Sequence, residues 1–490
     1  MEINMKNKQY FLEKAEQNRP RLYERKLYAQ IDRFNAKSGE SFLLDFGEHC
    51  VGHFSFSFDN IGKFIDAPVR LIIRFCEDLF EVNADFSSYK GQLSDTWLQE
   101  EIVKLDYPMT VALPRRYSCR YVKVTVDNTR APLTFYDFCF TATTSADRAS
   151  LEPCKSDDPL LNRIDRVSAT TLQECMQTFF EDGPKRDRRL WTGDLRLEAL
   201  TNYYTFKNHE ATRRSLYLIA AGERNYLGFL PSYVYETPYY VSGTDNLADY
   251  AMMFVVSVSD YYEHTGDTQT LLDFYELCKN QLDSFEAILD SNSIVTRQNC
   301  WLAFIDWCPG LEKMTSLQGI YLYALDRFIR VMESQNDEDA ERYRKILTKV
   351  RLASRKHLYD EEKKLFVNAL DRNKLSVHSQ VWMILGGVIE GEAAKFALMK
   401  TLESPEALKP LTPYMLHYVI EAMLKLGMKA EATAYIKKFW GGMLELGADT
   451  FFEAYAPDNP DFSPYGDRLS NSLCHAWSCT PAYFIRKYGL

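Results

Sequence analysis

Hydrophobic and polar positions along the chain follow two different periods. Between about Gly39 and Thr144 the runs SFLLDFG, HFSFSF, VRLIIRF, MTVAL, RYVKVTV and LTFYDFCFTAT are rich in β-branched and aromatic residues, and several alternate, as half-buried strands do. The turn-forming stretches DNIG, LPRR and DNTRAP separate them, which predicts an antiparallel β-sandwich over residues 39–150. A polar arm over residues 1–38, read as helical, precedes it. From about Ser156 the apolar positions take a helical period that lasts to the end. Helices are predicted near 157–178, 194–207, 210–222, 245–265, 269–290, 315–333, 337–357, 375–390, 392–402, 412–426, 428–444 and 470–486. Ser156-Asp157-Asp158-Pro159 gives the first of them a cap and an early proline. Twelve helices in consecutive pairs make six hairpins, and no fixed-period repeat of the open-solenoid kind is present. The expected fold is an N-terminal antiparallel β-sandwich followed by a C-terminal all-α (α/α)6 six-hairpin barrel over residues 151–490, whose end loops surround a cleft.

Composition narrows the function classes. The formal charge is −10, with 58 Lys and Arg against 68 Asp and Glu, so no basic excess exists to neutralise nucleic-acid phosphates. The first twenty residues carry no apolar segment with a small-residue cleavage site, and no run reaches about 18 apolar residues. A soluble, cytoplasmic protein without a membrane partner is expected. Eleven scattered cysteines without a CxxC pair fit reduced thiols better than a disulfide frame or a zinc site. With no phosphate-binding Gly-rich loop, no HExxH and no EF-hand loop, no cofactor and no catalytic metal are expected. The 14% of aromatic residues suits a large core and equally a cleft that stacks rings on sugars.

Candidate chemistry concentrates in residues 180–194, FEDGPKRDRRLWTGD. A solvated loop can carry as much charge, and that plain reading stands beside the functional one. Three features weigh against it: Gly183-Pro184 fixes a turn, Trp191 is costly to expose, and the run lies where a barrel-end loop belongs. Arg186 has the planar fork that holds a carboxylate or sugar hydroxyl. Asp182, Asp187 and Asp194 are suited to act as acid, orienter or hydroxyl ligand.

This segment resembles the signature of the α-L-rhamnosidases of glycoside hydrolase family 78, D-x-P-x-R-[DE]-E-R-L-G-W-T-G-D. The resemblance extends over most of the chain. LLDFGEHCVGHF resembles the sandwich's D-F-G-x-x-x-x-G entry, Phe304-Ile305-Asp306-Trp307 the G-D-W block, and Ser376-Val377-His378-Ser379-Gln380 the S-x-H-x-x helix start. Gly447-Ala448-Asp449-Thr450-Phe451-Phe452-Glu453 resembles G-A-T-T-x-W-E, and Ser472-Leu473-Cys474-His475-Ala476-Trp477-Ser478 the closing S-L-x-H-x-W-S.

The resemblance implies an inverting exo-glycosidase that releases terminal α-L-rhamnose from small glycosides or oligosaccharides. One carboxyl group would protonate the leaving oxygen while the other activates a water on the opposite face. Glu453 matches the general base. Asp182, Arg186, Trp191 and Asp194 match positions that hold the rhamnose, and Trp307 and His475 match further sugar contacts. Without the resemblance, Glu453 between aromatics reads equally as a hydrogen-bonded core acid.

The chain departs from the family at the general acid, being one residue shorter between Arg186 and Trp191. A gap at the family's Gly puts Arg188 at the acid's position, and an arginine cannot deliver a proton at neutral pH. A gap just after Arg186 puts Asp187 there, and this alignment is preferred. Lys185, Arg186, Arg188 and Arg189 outnumber Asp182, Asp187 and Asp194 by one, which suits a uronic acid as aglycone unless these cations pair with Glu181, Glu198 and other acids. The Tyr-rich stretch 231–246 offers sugar-stacking rings and one polar candidate, Asp245. His378 is read as facing either cleft or core. The rivals are another six-hairpin hydrolase acting on uronate-containing sugars and a sugar-binding protein that has lost catalysis. Assembly as a homo-oligomer is left open.

Overall fold

The computed structural model describes residues 6–62, 67–372 and 374–490. Helix α1 (Lys8–Gln17) opens the chain and lies on the helical domain, where Phe11 stacks on Phe274 at 5.9 Å and the Tyr10 hydroxyl donates to Asp273 at 2.9 Å. Residues 1–5 of the expected arm lie outside the described residues. The rest of that arm corrects the helical reading. β1 (Tyr23–Tyr28) and β2 (Arg33–Ala36) are strands, both antiparallel to β8 (Leu133–Thr144). YERKLY is too polar to announce a strand, and it takes its ladder from a partner more than a hundred residues away.

The remaining strands are β3 (Ser41–Asn60), β4 (Val69–Cys76), β5 (Glu100–Leu105), β6 (Met109–Ala112) and β7 (Tyr117–Asn128). They join one antiparallel sheet in the order β1-β8-β3-β7-β4-β5, with β2 also on β8 and β6 on β3. SFLLDFG and HFSFSF are a single strand: β3 runs 20 residues through an irregularity between Asp45 and Cys50. Its first half pairs with β7 and its second with β8 and β6, so it passes from one layer of the sandwich to the other. Gly52 sits at the crossing, paired with both Tyr117 and Ala142, and a Cβ there would meet the Thr141 carbonyl oxygen at 2.0 Å. Only glycine lets the backbones approach so closely. Phe42, Phe54, Phe56, Phe75, Phe135 and Phe140 fill the core between the layers.

Twelve helices follow in the described residues: α3 (Pro159–Cys175), α4 (Thr192–Tyr204), α5 (His209–Ala220), α6 (Ala248–Thr265), α7 (Thr268–Glu286), α8 (Met314–Ser334), α9 (Ala340–Leu358), α10 (Val377–Leu385), α11 (Gly391–Glu403), α12 (Pro413–Lys425), α13 (Lys429–Glu445) and α14 (Pro481–Tyr488); a short α2 (Leu79–Asn83) belongs to the sandwich. Packing runs from α4 to α6, α8, α10 and α12 in turn, and α14 packs on α3 and α4. α6 and α10 are buried on almost every side, whereas α9, α11 and α13 bury one face, the division expected of inner and outer rings. Asp158 caps α3 as expected, its carboxylate accepting the Leu160 N–H at 2.9 Å ahead of Pro159. The expected helix near 470–486 starts only at Pro481. Upstream, the N–H groups of Ser472, Leu473, His475 and Ala476 bind Glu453, Glu77, the Phe451 carbonyl and the Asp182 carbonyl instead of a helical ladder. The ten cysteines with described side chains are free thiols. No helix in the described residues is long and apolar enough to cross a membrane.

Sandwich and barrel meet at a buried charge cluster. Lys185, from the loop after α3, contacts Glu81 and lies 3.8 Å from Glu77 of the sandwich, while donating to the carbonyls of Leu469 and Asn471 at 3.2 and 3.0 Å. Lys185→Met is expected to remove about 3–5 kcal/mol of stability, because two buried carboxylates lose their cation. Urea unfolding of the two proteins measures it. A loss under about 1 kcal/mol would mean that Glu77 and Glu81 are not held as ions.

Candidate active site

The loop from Phe180 to Trp191 is closed by reciprocal hydrogen bonds. Asp182 donates its N–H to the Arg189 carbonyl and accepts the Arg189 N–H on its carboxylate, both at 2.9 Å. At the loop's tip Asp187 and Arg188 have φ of +63° and +52°, and the Arg188 N–H donates to the Arg186 carbonyl at 2.8 Å. This is a γ-turn of the strained, positive-φ hand. Backbone held this way by non-glycine residues marks a site over-determined by its surroundings. Here the consequence is to aim the Asp187 carboxylate into a cavity and its neighbour away from it. Arg188 donates instead to the carbonyls of Pro184 and Arg116, each at 2.8 Å. The loop leads into β9 (Leu190–Trp191), which pairs with β10 (Tyr233–Tyr235) and so brings Trp191 onto Tyr233 at 4.5 Å.

The cavity has a volume of about 470 Å³. Asp187, Glu453, Asp182, Arg186, Trp191, Asp194, Asp245, Trp307 and His475, drawn from stretches almost 300 residues apart, all line it. His378 does not: it is buried, with Nε2 2.7 Å from Asp306. Glu453 is 3% exposed and contacts the Arg186 guanidinium and the Tyr465 hydroxyl, while its backbone carbonyl accepts the Trp477 indole N–H at 2.9 Å. Burial pushes its carboxyl up, but the Arg186 guanidinium beside it outweighs that and holds it below its usual value. It is therefore an ionised group at neutral pH. The same guanidinium lies 3.5 Å from Asp187, so one cation is set between the two carboxylates.

Asp182 and Asp194 show the opposite behaviour. Burial, then the negative charges around them, push both well above the ordinary carboxylate range, which favours a protonated carboxyl able to donate a hydrogen bond. Burial likewise drives His475 down to about 4, leaving it neutral 4.0 Å from Asp182. Aromatic rings complete the floor, where Phe304 stacks on Trp477 at 5.9 Å and Trp191 meets Tyr250 edge-on at 6.1 Å. Beside them, Ile305 has φ +59° although fully buried and β-branched, and the Asp249 carboxylate pins it by accepting the N–H groups of Phe304 and Ile305 at 2.8 and 3.0 Å.

Sequence reasoning missed Tyr465, Leu93, Trp97 and Tyr250, which also line the cavity. Tyr465, Leu93 and Trp97 come from irregular segments without a motif, and Tyr250 follows a helical stripe that reads as core. The excess of loop cations also resolves into partners. Lys185 pairs with Glu81 and Arg186 with Glu453, while Glu181 is taken by Arg116 from the sandwich. Arg189 alone of the four faces the cavity without a carboxylate partner among the described residues, its guanidinium 4.5 Å over the Tyr233 ring. No group of three or more His, Cys, Asp and Glu in the described residues is placed to hold a metal ion.

Comparison with known proteins accounts for both domains. Residues 10–144 match the glycosyl hydrolase family 78 alpha-rhamnosidase N-terminal domain, and residues 151–488 the bacterial alpha-L-rhamnosidase 6 hairpin glycosidase domain. A rhamnosidase from Klebsiella oxytoca, solved with rhamnose bound, superposes with a TM-score of 0.94 at 37% identity, covering 100% of each chain. The family 78 rhamnosidase of Bacillus sp. GL1 gives 0.76 at 22% identity over 91% of this chain and 46% of its own. The Streptomyces avermitilis α-L-rhamnosidase complexed with L-rhamnose gives 0.71 at 17% identity over 96% and 44%, and these two likenesses speak for the fold. No curated protein matches the chain. With both of its domains matched in order and a full-length likeness at 37% identity, the chain belongs to glycoside hydrolase family 78, the α-L-rhamnosidases.

Proposed function

We propose that the protein is an exo-acting, inverting α-L-rhamnosidase in which Glu453 is the general base and Asp187 the general acid. The observation that carries this reading is the contrast across one cavity. Glu453 is buried and kept ionised by Arg186, whereas Asp187 stands at the tip of the loop with 23% of its side chain exposed. Ionised Glu453 is suited to take a proton from water, and Asp187 to meet the leaving oxygen at the mouth. The Arg186 guanidinium between them supports a separation with room for that water, roughly 6.5–9.5 Å in inverting enzymes. Asp182 and Asp194, protonated at the floor, would donate to rhamnose hydroxyls together with neutral His475, while Trp191 and Trp307 face the sugar's apolar surfaces. Arg188, turned to backbone carbonyls, leaves the acid's place to Asp187, which favours a working enzyme over a binding protein that has lost catalysis.

Hydrolysis of a chromogenic α-L-rhamnoside followed by NMR tests this function. The β-anomer of rhamnose is expected first, with the α-anomer arriving only by mutarotation. Initial release of the α-anomer would exclude inversion, and absence of turnover with rhamnose still bound would return the binding-protein reading.

A uronic acid as aglycone is the narrower part of the proposal, and Arg189 supports it as a cavity cation without a carboxylate partner among the described residues. A rhamnosyl-uronate is expected to be cleaved at least tenfold more efficiently than its neutral counterpart, with the preference lost in Arg189→Gln. Equal kcat/KM values for the two substrates would remove it.

A further inference from the structure

We propose that the excursion between β4 and β5, residues 77–99 of the sandwich, forms the leaving-group subsite of the cavity, with Trp97 and Leu93 as a platform for a ring-shaped aglycone. The inference rests on the glycosidase reading above. It starts from how the cavity is layered. Asp182, Arg186, Asp194, Glu453 and His475 are buried at its floor, whereas Asp187, Leu93, Trp97 and Arg189 keep part of their surface in solvent. An exo-acting pocket takes the terminal sugar into its closed end, and whatever hangs from the scissile bond stays at the mouth. Asp187, which meets the leaving oxygen, belongs to that outer tier. Trp97 and Leu93 share the tier with it, and they bring an indole ring and a branched alkyl group to a rim that also holds the charges of Asp187, Arg189 and Asp245 and the exposed ring of Trp307. Such a surface recognises the apolar face of a pyranose or phenolic ring by stacking.

The wall is fastened rather than merely adjacent. The Gln92 N–H donates to the Tyr465 carbonyl at 2.8 Å, and the Lys90 N–H to the Asp467 carboxylate at 3.1 Å. The Arg468 guanidinium covers the Phe80 ring at 3.9 Å, and Glu81 holds Lys185. Trp97 itself ends a one-turn helix, Asp95–Trp97, whose start is capped by the Ser94 hydroxyl. The residue that receives Gln92, Tyr465, is also the hydroxyl partner of Glu453. The platform is thus fixed to the loop that carries the catalytic machinery, and a ring seated on it would be held in a constant relation to the bond being cut.

The test compares the full-length protein with Trp97→Ala and, as a milder variant, Leu93→Ala. The readouts are kcat/KM on methyl α-L-rhamnoside and on a rhamnosyl disaccharide, with Ki for free rhamnose measured alongside. In Trp97→Ala the disaccharide value is expected to fall at least tenfold more than the methyl rhamnoside value, chiefly through KM, while Ki stays within about twofold; Leu93→Ala should shift the same ratio by a smaller factor. Equal losses on both substrates in both variants, or a rise in Ki matching the fall in kcat/KM, would make the excursion a structural support and overturn the proposal. If the wild type cleaves neither rhamnoside, it is the glycosidase reading that fails. The subsite is then read by calorimetry: the disaccharide must bind wild type more tightly than rhamnose does and lose that margin in Trp97→Ala, and no margin in the wild type would overturn it.

Discussion

Glu453→Gln is expected to lower kcat on any α-L-rhamnoside at least about a thousandfold, with the same factor for good and poor leaving groups. The amide keeps the size of the side chain and can still meet Arg186, Tyr465 and the Ser472 N–H, so the cleft should keep its shape while losing the group that takes a proton from water. The same exchange leaves the Arg186 charge buried without its anion, at a cost of up to about 3 kcal/mol. That second effect depends on pH in a fixed direction. A carboxyl held below its ordinary value of 4.5 adds stability that is complete above that value and disappears as pH falls through the lower folded value. The difference in melting temperature between wild type and variant should therefore be widest near neutrality and narrow below pH 4.5. Circular dichroism of the variant together with a kcat within tenfold of wild type would rule out Glu453 as the base.

Asp187→Asn should produce a loss that depends on what is being expelled. A general acid matters in proportion to how poor the leaving group is, because it supplies the proton that lets an alkoxide depart as an alcohol. With a sugar or alkyl aglycone the fall in kcat/KM is expected to be about 10²–10⁴-fold. With a nitrophenyl aglycone, which leaves without help, it should be under about tenfold. Asn tolerates the left-handed backbone that residue 187 occupies, so the loop should hold its course and the variant separate chemistry from conformation. A uniform loss across leaving groups would assign Asp187 to sugar binding and leave the acid to be sought elsewhere along the rim. Together the two variants make a pattern, insensitive to leaving group for Glu453 and steeply sensitive for Asp187, that neither a misfolded loop nor a weakened sugar site reproduces.

Sequence and structure agree where local pattern is enough to specify the outcome. The helices of the barrel were legible because each presents its apolar stripe to a neighbour that the chain itself supplies, and α3 could be placed from its cap and its proline. The nine candidate residues were legible as residue types in blocks, and the fold brings them to one cavity. Illegible were the parts whose form depends on partners distant in the chain. β1 exposes three of its six residues and β5 buries none of its six, and both owe their form to long-range partners. Trp97 stands in an irregular stretch and enters the cavity only through docking of the sandwich on the Tyr465 segment. Ile305 stands where the G-D-W block has glycine, yet it holds the positive φ that glycine adopts freely. A reading of side-chain character alone gives no hint that Asp249 makes this conformation tenable.

Helix α1 carries a consequence for the order in which the molecule can be made. It leaves the ribosome before the sandwich and the barrel, but Asp273, the acid that receives its Tyr10 hydroxyl, lies 263 residues downstream. At about 5–20 residues per second, the helix waits some ten seconds to most of a minute, with Phe11 uncovered, while the whole sandwich and the first helical hairpins are synthesised. The sandwich can complete its own sheet in that interval, since its strands need nothing beyond Thr144. Helix α1 is then called back across the finished domain to close on the barrel, so a segment made before the sandwich finds its place after it.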